Sequence, residues 1–463
     1  MSKYNLILLS VFAISALNAE SIDEVMDGFD DEPVEQSIKA KEVTEKSNDA
    51  TDELMDGFDD EVVNSAKDED DKLVGFLGDF TGKLTEQVAF AVDDDAPHDK
   101  INSVKSSLFL EYEHKFENNF KFKFNTKAYY DAIYDLRGKE KYATDELDEL
   151  RDEVEIYDAY IEGSLRDNLD MRLGRQVVVW GRSDTIRVTD ILNPLDNRRP
   201  GMVDIEDLRL PVTMAKFDYF LGNWRVTPMA IVEQRFSKKP PAGSAFNASP
   251  SPTPDNEEYS DISPALSVGA EFSGWDVNLY IAKIRDDVGY FNNGKIKHDK
   301  VNMFGTAINV LDGSWLFKSE LAYFNGLKYT TTSNREFKRT DALLGVEYNG
   351  IADTLISYDV AVRKIHNYDT RLINEPLEVE SERYQHAFRV SSDFMNATLK
   401  ANYLISLFGK GLDEGGFQRV WAKYDIADGI FANMGYVDYI GGSKLFDSVK
   451  DNDMAFVDVT YSF

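Results

Sequence analysis

The first residues whose types and spacing suggest chemistry are written twice. "DEVMDGFDDE" at Asp23 to Glu32 returns as "DELMDGFDDE" at Asp52 to Glu61. The D-x-x-x-D-G core resembles part of a calcium loop. Such a loop needs an oxygen ligand at its third position and a bidentate Glu at its twelfth. Here the third position is Val25 or Leu54 and the twelfth is Val34 or Val63, so no metal is expected. What remains is Met26, Gly28 and Phe29 in one copy and Met55, Gly57 and Phe58 in the other. Apolar anchors framed by carboxylates have the form of a short partner-binding ligand. Two copies would raise avidity. A soluble acidic spacer is the alternative reading.

A second chemical signal is the run of arginines in "MRLGRQVVVWGRSDTIRVTDILNPLDNRRPG", Met171 to Gly201. Arg172, Arg175, Arg182, Arg187, Arg198, Arg199 and, just beyond, Arg209 are the candidates for lining a pore, where fixed charge sets selectivity. Asp184, Asp190, Asp196, Asp204, Glu206 and Asp207 lie among them. The arginines therefore either meet a solute or staple the segment to a wall. In an alternating strand Arg172 shares a face with Gly174 and Gln176, and Arg175 lies opposite. Only one of the two can face a lumen. A lipid-facing arginine costs about 2–4 kcal/mol at mid-depth, so the other is expected near an interface. Asn193-Pro194 is expected to fix a turn, and Trp180 to act as an interface anchor.

Catalytic chemistry has no foothold. The five histidines (His98, His114, His298, His366 and His386) stand in no recognisable catalytic context, and no G-x-S-x-G, HExxH or phosphate loop occurs. No enzyme, cofactor or metal is expected.

The elements that must position these residues follow from composition and period. Lys3, the apolar run Leu6 to Leu17 and the small residues before Ala19 read as a signal peptide, residues 1–19. The chain has no cysteine and a net charge of −32, which argues against nucleic acid as a partner. Residues 20–72 hold 21 acids against 5 lysines, too polar to offset ordering entropy. Residues 20–71 are expected to be a disordered acidic tail, and 72–81 a short amphipathic lead-in.

From 82 to 463 the pattern alternates with period two. Phe120, Phe122 and Phe124 oppose Lys121, Lys123 and Asn125; Ile356, Tyr358, Val360 and Val362 oppose Ser357, Asp359, Ala361 and Arg363. Short turn signals, Asn349-Gly350 among them, alternate with long polar stretches such as 180–210. That is the loop rhythm of a transmembrane antiparallel β-barrel. Parity requires an even strand number, so "GKLTEQVAFAV" at 82–92 is expected to be the first of eighteen strands; sixteen is the alternative. The end "MAFVDVTYSF" places Val459, Tyr461 and Phe463 on one face, in the manner of the signal read by the barrel assembly machinery. The outward face would meet outer-membrane lipids, and shared parity would leave both chain ends in the periplasm.

"LGRQVVVWG", then "NPLD", then "LRLPV" (Gly174, Arg175, Gln176, Trp180, Gly181, Asn193, Pro194, Asp196, Pro211) resembles the outer-membrane family labelled domain of unknown function 1302. The resemblance implies a porin-like barrel. It also implies an inner-membrane resistance-nodulation-division exporter of hydrophobic cargo as partner. The reading is thus an outer-membrane channel of a Gram-negative bacterium narrowed by its third loop. A general diffusion porin and an adhesin or envelope tether are the alternatives.

Overall fold

The computed structural model describes residues 80–463 apart from Asp93, Asn118, Asp204 and Leu377. The signal peptide, the acidic tail with both decapeptides and residues 72–79 of the lead-in lie outside the described residues.

The chain forms β1 (Phe80–Ala91), β2 (Ile101–Lys115), β3 (Phe120–Asp131), β4 (Asp152–Arg166), β5 (Leu169–Gln176) and β6 (Val212–Leu221). It continues with β7 (Trp224–Ile231), β8 (Ser263–Phe272), β9 (Trp275–Arg285) and the small hairpin β10 (Tyr290–Asn292) and β11 (Lys295–Lys297). Then come β12 (Lys300–Asp312), β13 (Trp315–Leu327), β14 (Phe337–Ile351), β15 (Thr354–His366) and β16 (Glu382–Phe394). The last are β17 (Leu399–Phe408), β18 (Gly416–Ala427), β19 (Ile430–Ile440) and β20 (Met454–Ser462). Without the hairpin these make one 18-stranded sheet of antiparallel neighbours. It closes because β1 pairs with both β2 and β20.

The expected strand at 82–92 exists and begins two residues earlier, at Phe80, whose ring lies 4.9 Å from that of Tyr112. Closure leaves no edge strand to template aggregation. At the seam Phe463 and Gly82 exchange backbone hydrogen bonds of 2.9 and 2.7 Å.

Alternation sorts each strand into an inner and an outer face. In β20 Met454, Phe456, Asp458 and Thr460 are buried, while Val457, Val459, Tyr461 and Phe463 are exposed. In β14 Leu343 is 1% exposed and its neighbour Leu344 is 65%. Large apolar side chains thus cover the outside, the reverse of a soluble protein. Aromatics ring the short-turn end: Trp224, Phe272 and Trp275 pack in series, and Trp315 meets Tyr348 at 4.4 Å.

One turn differs from expectation. Asn349-Gly350 lies inside β14, absorbed by a register shift between Tyr348 and Ile351. The chain reverses at Ala352-Asp353, where Asp353 takes φ +54°, a conformation Asp tolerates better than most residues.

Candidate functional site

The segment 177–211, between β5 and β6, touches strands around the whole barrel. Arg199 pairs with Asp131 of β3 at 3.1 Å and donates to Ser103 of β2 at 3.2 Å. Arg198 pairs with Glu153 of β4. Arg182 pairs with Asp276 of β9. The Tyr439 hydroxyl of β19 donates to the Pro200 carbonyl. A segment meeting β2, β9 and β19 at once must run through the interior, which identifies the inner face of each strand.

Two inward carboxylates hold its middle. Glu320 of β13, 2% exposed, accepts the backbone N–H groups of Arg182 and Ser183 on Oε1 at 2.6 and 3.0 Å. Its Oε2 accepts the N–H and hydroxyl of Thr189 at 3.0 and 2.7 Å. Asp359 of β15 accepts the hydroxyls of Ser183 and Thr185, both at 2.6 Å. Such charge-assisted bonds satisfy loop donors that burial would otherwise leave unpaired. Gly181 runs at φ +93°, and a Cβ there would lie 2.9 Å from the Glu320 carboxylate. Glycine is required for that approach.

Apolar burial fixes the same segment. Ile186, Val188 and Leu192 join inward residues of β6–β9 and β12–β16 in one core. Trp180, 4% exposed, stacks on Tyr280 of β9 with centroids 4.6 Å apart. Trp180 is therefore not an interface anchor: interior apolar surface 100 residues away in sequence offers it a better partner than the bilayer edge. Asn193, 1% exposed, does fix the backbone. Its side chain accepts from Val178 N at 2.8 Å and donates to the Leu210 carbonyl at 2.8 Å, clasping the two ends of the segment. Pro194 and Pro211 offer their carbonyls to Leu210 N and to Arg235, each at 2.8 Å.

Each of the seven arginines has a carboxylate partner. Arg172 meets Glu162 at 2.7 Å. Arg175 meets Glu155 at 2.7 Å and Glu233 at 3.4 Å. Arg187 and Arg209 share Asp190 at 3.1 and 2.9 Å. Arg198 also holds Asp196, its Nε 2.8 Å from Oδ1. Burial raises the Asp196 pKa, but the Arg198 guanidinium outweighs it and holds the carboxyl below its usual range. Arg199 is pushed up despite burial, chiefly by Asp131. Arg182, Arg198 and Arg199 thus staple the segment to the wall, Arg187 and Arg209 tie it to itself through Asp190, and Arg172 and Arg175 meet their acids from positions on β5. Of the acids weighed as their partners, Asp204 lies outside the described residues.

Register keeps Arg172 and Arg175 on opposite faces of β5: Arg172 lies opposite Glu162 and Lys216, Arg175 opposite Ala159 and Thr213. Between them Gly174 runs at φ +131°. A Cβ there would sit 2.2 Å from the Ala159 carbonyl oxygen. Gln176, fully buried, donates to the Gly174 and Met214 carbonyls at 3.2 and 3.3 Å.

The interior wall has residues that the sequence alone does not single out. Glu155 gathers three cations: Arg175, Arg235 at 3.0 Å and Lys238 at 3.3 Å. On β2–β4, Lys121 bridges Glu113 and Glu162 at 3.2 and 3.0 Å, and Lys123 meets Glu111 at 2.9 Å. Alternation marked these as polar-facing but could not pair them. The side of β16–β19 differs. There Arg383, Arg389, Lys400, Arg419 and Lys423 face inward, with Arg419 over Trp421 at 3.9 Å.

Residues 93–463 match the family model described as protein of unknown function (DUF1302). No curated protein matches the sequence. Among solved structures, OccAB3 of Acinetobacter baumannii is similar over 83% of this chain and 99% of its own, at 12% identity and TM-score 0.51. OpdK of Pseudomonas aeruginosa, solved with vanillate, covers 84% and 100%, at 10% identity and TM-score 0.49. At 12% identity the likeness to OccAB3 is one of fold.

Proposed function

Because the chain belongs to the family described as protein of unknown function (DUF1302) and closes as an 18-stranded barrel, we propose that it is an outer-membrane channel whose lumen is narrowed by residues 177–211. The observation that carries this reading is the attachment of that segment to Asp131, Asp276, Glu320, Asp359 and Tyr439 on strands around the barrel. A strap held from opposite sides restricts the path between them, and its charged border sets which solutes pass. No catalytic step is involved. The long loops face outward and the N-terminal tail hangs in the periplasm of a Gram-negative cell.

Conductance in planar bilayers tests the channel. Steady openings that widen when the strap is loosened support it. A protein that folds, inserts and never conducts is instead a plugged barrel, the adhesin or tether reading. Conductance to small hydrophilic solutes without any partner favours a general diffusion porin.

The family resemblance implies a further partner, an inner-membrane resistance-nodulation-division exporter of hydrophobic cargo, reached through the tail. Pull-downs comparing the mature chain with one lacking residues 20–71 test this. Phe29→Ala with Phe58→Ala is the finer probe: the double variant is expected to assemble normally and to lose the partner. Equal capture by both chains leaves the decapeptides as spacers. Val459, Tyr461 and Phe463 are proposed as the contact for the barrel assembly machinery, and removal of Phe463 is expected to slow membrane insertion.

A further inference from the structure

We propose that the outward face of β9 and β12–β15, at its long-loop end, binds the phosphorylated head group of an outer-leaflet glycolipid. The proposal rests on the reading of this barrel as an outer-membrane protein with its long loops outward.

Strand register builds the site. Lys283 of β9 lies opposite Asn302 of β12, and Asn302 opposite Asn325 of β13. Asn325 in turn faces Lys338 of β14, and Lys338 faces His366 of β15. Five residues from five successive strands thus stand in one row. One step toward the short-turn end, the outward row reads Ile281, Phe304, Tyr323, with both Ile281 and Phe304 exposed. The inward neighbours Val301, Phe324 and Ile365 are buried, so the row belongs to the outer face.

Its depth is fixed by the aromatics at the other end. Trp275 and Lys283 are eight residues apart on the outer face of β9, and Tyr348 and Lys338 ten apart on β14. At about 3.4 Å per residue and a tilt of about 40°, these spans rise about 21 and 26 Å. An outer-membrane barrel's apolar band is about 25 Å tall. The row therefore lies where the lipid head groups begin.

Its charge is specific to this side. Lys283 and Lys338 are exposed, and neither makes an ion pair among the described residues. Beyond them Arg285 and Lys300 are already held by Asp261. Lys364 is held by Glu382. Further round, β18 and β19 present Gln418 bonded to Asp438 at 2.7 Å. Two cations three strand spacings apart, about 14 Å, match a head group carrying two phosphates on a sugar pair. The amides of Asn302 and Asn325 between them suit its hydroxyls. His366 is oriented by a 2.8 Å bond to Thr340.

The test titrates the purified full chain in detergent with bis-phosphorylated lipid A and with the same lipid dephosphorylated, read by native mass spectrometry. The wild type is expected to prefer the phosphorylated lipid. Lys283→Gln with Lys338→Gln is expected to weaken that binding about 25-fold, about fivefold per lysine, while Lys283→Arg with Lys338→Arg retains it. A control pair, Lys115→Gln with Lys444→Gln, is expected to bind as wild type. Heat-modifiable gel mobility confirms that each variant is folded. Equal binding of the dephosphorylated lipid, or wild-type affinity in the folded Gln pair, overturns the proposal. Cell fractionation is independent of both lipids: recovery in the soluble periplasm would sink the membrane reading, whereas lost lipid preference in an outer-membrane protein sinks only the site.

Discussion

Glu320 Oε1 stands 2.6 Å from the backbone nitrogen of Arg182, joining the inner face of β13 to a segment 138 residues earlier. No side chain is needed on the strap for this contact. A single buried carboxylate takes two backbone N–H groups, a third from Thr189 and that residue's hydroxyl. It is the clearest place to loosen the strap without changing its sequence.

Glu320→Gln keeps the shape but turns one acceptor into a donor facing donors. A buried N–H left unpaired costs about 1–3 kcal/mol. Single-channel recordings are expected to show a larger and noisier conductance, with faster proteolysis inside 183–198. Unchanged conductance together with faster cleavage would mean that the strap does not bound the path.

Trp180→Ala removes the stack on Tyr280 and opens a void in the interior core. Truncating a buried Trp costs about 3–5 kcal/mol. Denaturant titration of the detergent-solubilised barrel checks this. A loss below about 1 kcal/mol would contradict the buried position assigned to Trp180.

Gly174→Ala meets both a strained φ and the Ala159 carbonyl oxygen. The strain alone is worth about 1–3 kcal/mol. The variant is expected to yield less folded, heat-modifiable protein. Normal folding with unchanged stability would contradict the backbone described at this position.

Glu155→Gln strips the shared anion from Arg175, Arg235 and Lys238. The reversal potential in a salt gradient is expected to move toward anion selectivity. No shift would show that this cluster stands outside the ion path.

Two groups in the 286–299 loop respond oppositely to acid. His298 is 1% exposed, bonds Asn256 at 2.9 Å and stacks on Phe236. Burial lowers its pKa. Its contribution to stability is present above the unfolded value of about 6.5 and is lost as pH falls through the lower folded value. Asp286 is raised by burial to about 6, against the lowering charge of Arg339. Its contribution is full below about pH 4 and is lost as pH rises through about 6. Hydrogen exchange across the loop is expected to change little between pH 7.5 and 5 in the wild type. Asp286→Asn is expected to leave a loop that loosens in acid, and His298→Gln one that tightens. The same slope in both variants would refute the assignment.

The barrel was legible in the sequence because a two-residue period is a local signal. Phe120, Phe122 and Phe124 declare a face whatever lies beside them, and even parity demanded a strand at 82–92. The closing strand, with Val459, Tyr461 and Phe463 outward, followed from the same rule. So did a long inserted segment rich in arginine. What the arginines do was not legible: partners such as Asp131, Asp276 and Glu155 come from strands remote in sequence, and pairing is set by register and by the path of the strap. Gly174 shows what a period cannot announce, since its positive φ answers the close approach of the Ala159 carbonyl on the neighbouring strand. Trp180 found Tyr280, and Glu320 found the Arg182 backbone, only because closure carried β9 and β13 round to meet residues 177–211. A local pattern can assign each side chain to a face; only the closed sheet decides which faces share an interior.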